Sequence, residues 1–142
     1  MSVKPIPEGF HTVTPYLIVD GVPELIDFLS NTFDAELASD LKAPDGSIYH
    51  AAVKIGNSMV MMGDSNEGYP PMPTSLYLYV ENADAVYQQA LQAGAESIQE
   101  PKDQFYGDRT AFVKDAFGNI WGIATQIEEL SPEEINRRLK EK

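Results

Sequence analysis

The residues able to do chemistry in this chain are few, and most are aromatic or hydroxylic rather than nucleophilic. There is no cysteine, which excludes disulfides, thiolate metal sites and cysteine nucleophiles. No phosphate-binding loop, dinucleotide fingerprint, nucleophile elbow or His-Glu-x-x-His is present; Asp45-Gly46 and Gly56-Asn57 read as turns. His50 is the one histidine expected mid-strand, where it can orient a ligand or titrate near neutrality. It can equally be a hydrogen-bonded structural histidine, and His11 reads as a loop residue. Arg109 follows Tyr106-Gly107-Asp108 and can clamp an anionic substrate, or pin its loop by pairing with Asp108, Asp103 or another acid. Phe105 and Tyr106 either close over a pocket mouth or staple that loop. Met62 can line a pocket, where a flexible thioether adapts to varied ligands, or fill core.

The elements that must position these groups come in two copies. Tyr16-Leu17-Ile18-Val19-Asp20 is echoed by Tyr77-Leu78-Tyr79-Val80-Glu81, and Ala51-Ala52-Val53-Lys54 by Ala111-Phe112-Val113-Lys114. Gly56-Asn57 is echoed by Gly118-Asn119, and each pair lies between strand-like runs, a hairpin signal. The spacing predicts strands near 13–19, 36–43, 47–55 and 58–63, then near 74–81, 96–100, 108–114 and 119–126. A helix follows the first strand of each copy. One starts at Pro23 and carries Ile26, Leu29 and Phe33. The other runs over about 83–93, opened by Asn82 and closed by Gly94, with Val86, Ala90, Leu91 and Ala93 apolar. The expected fold is therefore α+β. Two β-α-β-β-β modules (about 12–64 and 74–127) are joined by a Pro- and Gly-rich spacer at 65–73. A short C-terminal helix over about 132–140 is opened by Ser131-Pro132-Glu133-Glu134.

Strand parity separates two faces. Leu17 and Val19, like Leu76, Leu78 and Val80, should pack under the helices. Thr14, Tyr16 and Ile18, like Ser75, Tyr77 and Tyr79, face the other way, onto a surface that helices on one side leave open for a ligand or a partner. The same alternation directs Trp121 to the helices and Gly122 to the open face.

The chain has 142 residues and a formal charge of −12, which disfavours nucleic acid and anionic lipid as partners. No apolar run approaches a membrane span, and the N-terminal Met-Ser-Val-Lys-Pro-Ile-Pro lacks the apolar core of a signal peptide, so a cytoplasmic location is expected.

Taken together, Pro15 to Asp20, Pro44-Asp45-Gly46, His50-Ala51, Ile55 to Ser58, Asp103 to Arg109 and Asp115-Ala116-Phe117-Gly118-Asn119-Ile120-Trp121 resemble the vicinal oxygen chelate superfamily. That superfamily includes glyoxalase I, bleomycin-resistance proteins and extradiol dioxygenases, and the likeness is nearest to its PhnB-like branch. The resemblance implies that each module curls into half of an open barrel. It also implies a homodimer, in which Thr14, Tyr16 and His50 of one chain face Ser75, Tyr77 and Tyr79 of the other. Metal-dependent members hold a divalent ion with one side chain from the first and one from the fourth strand of each module. Here those positions fall on Thr14, Val60 or Met62, Ser75 and Gly122, so the resemblance leaves the ion without ligands and no cofactor is expected. Two functional classes follow. One is a metal-free binder of a small cationic or neutral molecule, like the bleomycin-resistance proteins. The other is a lyase or isomerase using His50 or an unrecognised metal site. A purely structural interaction module is the third possibility. The ligand contacts expected are Thr14, Tyr16, His50, Met62, Ser75, Tyr77, Tyr79, Tyr106, Arg109 and Gly122.

Overall fold

The computed structural model describes residues 3–142. Met1 and Ser2, which open the stretch read above for a signal peptide, lie outside them. The chain divides into two compact units, one ending at Thr74 and the other starting at Ser75.

The first unit contains β1 (Tyr16–Val19), α1 (Val22–Phe33), β2 (Glu36–Lys42), β3 (Ile48–Ile55) and β4 (Ser58–Asp64). Its sheet runs β1-β4-β3-β2, with β1 parallel to β4 and the other pairs antiparallel. The β3–β4 hairpin turns on Gly56, whose φ of 57° suits the Gly-Asn pair. α1 buries Val22, Leu25, Leu29 and Thr32 along one stripe, with Phe28 and Phe33 beside it. Ile26, expected on that face, is only half-buried. Beneath α1 the sheet contributes Leu17, Ala51, Val53, Val60 and Met62, all buried. β1 is shorter than the expected 13–19 because Val13 is left exposed and unpaired. The segment read as a spacer turns back on the unit: the Met72 amide donates to the Ile18 carbonyl, and the Asn66 side chain accepts from the Gly68 and Tyr69 amides.

The second unit contains β5 (Ser75–Tyr79), α2 (Ala83–Gln92), β6 (Glu96–Asp103), β7 (Asp108–Lys114), β8 (Ile120–Gln126) and α3 (Pro132–Lys140). Its sheet order, β5-β8-β7-β6 with β5 parallel to β8, repeats that of the first unit. Asn82 caps α2 by accepting from the Ala85 amide, and Thr125 accepts from the Ala83 amide while donating to the Val80 carbonyl. The thin apolar face of α2 is completed by Tyr87, buried, whose hydroxyl donates to Ser97. Ser131 caps α3 by accepting from the Glu134 amide. The fold is thus the expected α+β arrangement of two β-α-β-β-β modules with a C-terminal helix. Among the described residues no helix is long and apolar enough to cross a membrane.

Candidate functional site

In each unit the helix covers one face of the sheet, and the register defines the other. In the first unit the uncovered face carries Tyr16 and Ile18 from β1, Met61 and Gly63 from β4, and His50 from β3, since Tyr16 pairs with Met61 and Gly63 with both Ile18 and His50. Tyr16 lies against the His50 ring, centroids 5.6 Å apart. At Gly63 a Cβ would meet the end of the Tyr16 ring, which would have to shift to admit it. Beside it is a cavity of about 350 Å³ lined by Tyr16, Ile18, Gly63, Asp64, Asn66 and Tyr69. That volume is at the lower end of the range for small-molecule pockets, roughly 300–1,000 Å³. Thr14 lies just outside β1, its hydroxyl turned toward the His11 carbonyl.

Met62 is not on this face. It pairs with Leu17 and Ala51 and is completely buried beneath α1, as is Val60 opposite Val53. The parallel pairing of β1 with β4 places Met61, half-buried, at the position that the resemblance gives to Val60 or Met62.

In the second unit the uncovered face carries Ser75, Tyr77 and Tyr79 from β5, Gly122 and Ala124 from β8, and Asp108, Thr110 and Phe112 from β7. Gly122 is flanked by two rings: a Cβ would sit 2.9 Å from both Tyr77 and Phe112. The missing side chain is what lets those rings lie down on the strand. Asp108 is the centre of the face. It is 5% exposed, and its Oδ2 accepts from the Tyr77 hydroxyl at 2.6 Å and the Tyr79 hydroxyl at 2.9 Å. Desolvation, then the bond to Asp108 and the neighbouring Tyr106 hydroxyl, push the Tyr77 phenol up. The bond to Asp108 is the main cause raising the Tyr79 phenol. Both rings therefore stay protonated donors at any physiological pH.

Arg109, one residue on, has the opposite parity and leaves this face. Its Nε and Nη2 bond both carboxylate oxygens of Asp84 on α2, at 2.7 and 3.1 Å, and Nη1 bonds Asp103 at 2.8 Å. Two acids already satisfy the guanidinium, so in this structure Arg109 pins its strand to α2 and β6 and is not a free anion clamp. Tyr106 stands edge-on to Phe105, with ring centroids 5.2 Å apart. The loop that carries both is held by Gly107, whose carbonyl accepts from the Ile127 and Glu128 amides, and by Arg138 of α3, which donates to the Phe105 carbonyl.

The Asp115 to Trp121 stretch is structural. Asp115 is 6% exposed; its Oδ1 accepts from the Phe117 and Asn119 amides and its Oδ2 from the Asn119 side chain and the Trp121 indole. Trp121 is fully buried opposite Leu76 and Val113.

With this geometry in view, comparison with known proteins is decisive for family. The sequence pattern of the glyoxalase/bleomycin resistance protein/dioxygenase superfamily matches residues 9–123. The chain belongs to that superfamily. An uncharacterized protein of Mycobacterium bovis is 36% identical, the match covering 87% of this chain and 88% of that one. Among solved structures, TioX from Micromonospora sp. ML1 superimposes with a TM-score of 0.71 at 24% identity, over 82% of this chain and 98% of that one. TnmS3, an antibiotic binding protein from Streptomyces sp. CB03234, gives 0.66 at 21% identity, over 89% and 98%. A PhnB protein from Bacillus cereus gives 0.64 at 18% identity, over 81% and 99%. At these identities the superpositions establish the fold.

The glyoxalase/bleomycin resistance/dioxygenase pattern of metal ligands does not fit the side chains present. The positions at the start of the first strands are Thr14, just before β1, and Ser75, and the open-face positions on the last strands are Met61 and Gly122. Neutral hydroxyls, a thioether and a hydrogen are not the carboxylate, imidazole or amide donors that a divalent cation needs. Among the described residues no three His, Asp or Glu side chains are grouped to hold an ion.

Proposed function

We propose that this chain is a small-molecule-binding protein of the glyoxalase/bleomycin-resistance type that works without a metal. The ligand lies against the aromatic, hydroxyl-bearing open faces. The observation that carries the reading is the state of Tyr77 and Tyr79. Both hydroxyls are already committed to Asp108, yet the two residues remain 41% and 65% exposed. Two rings pinned at their polar ends and open on their faces form a rigid, pre-organised stacking surface, and little side-chain entropy is left to lose on binding. Tyr16, 49% exposed and packed on His50, supplies a similar surface in the first unit. The superfamily, and an antibiotic binding protein of the same fold, support the class of function. The donor set supports the absence of a Lewis acid, and hence binding over metal-assisted lyase or isomerase chemistry.

A homodimer completes the proposal, since a second copy would shield whatever part of these faces the ligand does not. The −12 charge per chain would then sit on the rim. The test is a thermal-shift screen of cationic aromatics, glycopeptides and small 2-oxo compounds, with elemental analysis of the purified protein and its mass in solution. Stabilisation by several degrees at saturating ligand, no stoichiometric metal and a dimeric mass are expected. One nickel, zinc, manganese or iron per chain, lost in His50→Ala, would replace this reading with the enzymatic one.

A further inference from the structure

Resting on that reading, we infer that the second unit's open face is a cation subsite: a ligand ammonium sits on the Tyr77 and Tyr79 rings, with the buried Asp108 carboxylate behind them as its counter-charge. Asp108 is almost wholly removed from water, yet among the described residues no lysine, arginine or histidine pairs with it. The adjacent cation, Arg109, is consumed by Asp84 and Asp103 on the other side of the sheet. A buried carboxylate is ordinarily paired with a cation, and here, among the described residues, two neutral phenols donate to it instead. Those phenols carry the charge outward. Each O–H donated to the carboxylate makes its ring richer in electrons, and the ring face is where a cation is attracted. The two rings meet edge-on, at 71° with centroids 5.4 Å apart, so they present two walls rather than one flat platform. Phe112, 6.2 Å from Tyr77, adds an apolar floor. Two walls, a floor and a fixed negative charge suit a quaternary or protonated amine borne on an apolar body, and they reject an anion.

The experiment uses choline and its uncharged carbon isostere, 3,3-dimethylbutan-1-ol, titrated separately into the full chain and followed by two-dimensional NMR. Choline should shift the resonances of Tyr77, Tyr79 and Phe112, with affinity at least roughly tenfold above that of the alcohol. Asp108→Asn should erase that difference. Tyr79→Leu, at an exposed position where folding is not at risk, should weaken choline alone. Asp27→Asn removes the same formal charge from an exposed site on α1 and should change nothing, which separates a local effect from the general acidity of the chain. Equal binding of the two probes, or a preference for the alcohol, overturns the cation subsite and leaves small-molecule binding standing. Loss of choline binding in Asp27→Asn as large as in Asp108→Asn also overturns it. If neither probe shifts these residues, the subsite is refuted, and small-molecule binding is then decided by the wider ligand screen.

Discussion

Replacing Asp115 by Ala tests how the second unit is held together. The carboxylate accepts four hydrogen bonds, all at 2.8–2.9 Å: from the Phe117 and Asn119 amides, the Asn119 side chain and the Trp121 indole. Alanine deletes the acceptor and leaves the donors in place, two of them on fully buried side chains. A hydrogen bond to a charged group contributes about 1.5–3 kcal/mol, and the bonds of one group are not additive. The expected loss is therefore roughly 3–5 kcal/mol, a large part of the ~5–15 kcal/mol that holds a domain folded. Asp115→Asn should cost nearly as much, because its new NH2 would face the Trp121 and Asn119 donors. Trp121 is the sole tryptophan, so its fluorescence reports urea unfolding at this very turn. A loss below about 1 kcal/mol with an unchanged m-value would refute the assignment of this motif to structure.

Gly122→Ala places a Cβ against Tyr77 and Phe112, and should cost roughly 1–3 kcal/mol and weaken ligand binding by displacing Tyr77; denaturation and a binding isotherm on the same variant check both. Thr32 is fully buried on α1 and its hydroxyl has no partner among the described residues, so Thr32→Val should be neutral or stabilise by about 1 kcal/mol in a thermal melt. Glu134 is held at about 2, from an ordinary 4.5, by Arg137 and then Arg138. A carboxylate held down in the folded state stabilises fully above 4.5 and stops as pH falls toward 2, so α3 amide protection should drop in that window, and Glu134→Gln should flatten the drop.

The repeat, the two Gly-Asn hairpins and the caps at Asn82 and Ser131 were legible in the sequence because each rests on local chemistry: a positive φ at glycine, or an oxygen within reach of a free amide. What was not legible depends on pairing. Met59-Val60-Met61-Met62 is apolar on both faces, so nothing local says which methionine points to α1; the parallel register with β1 decides it. In the sequence Asp108 stands out only as a possible partner of Arg109, which pairs instead with Asp84 and Asp103. Parity alone could have separated them, since Asp108 shares a face with Thr110 and Phe112, and Arg109 does not. That two tyrosine hydroxyls would converge on Asp108 across 31 and 29 residues could be known only from the fold.

The claim at the centre is that these open faces take a small molecule with no ion present. Its most direct test is NMR mapping of the strongest hit from the thermal-shift screen on protein stripped with a chelator. Saturable shifts centred on Tyr77, Tyr79 and Phe112, with the ligand recovered unchanged, are the result expected. Shifts that arise only after nickel, zinc or manganese is restored, or a ligand recovered as a different compound, would contradict it.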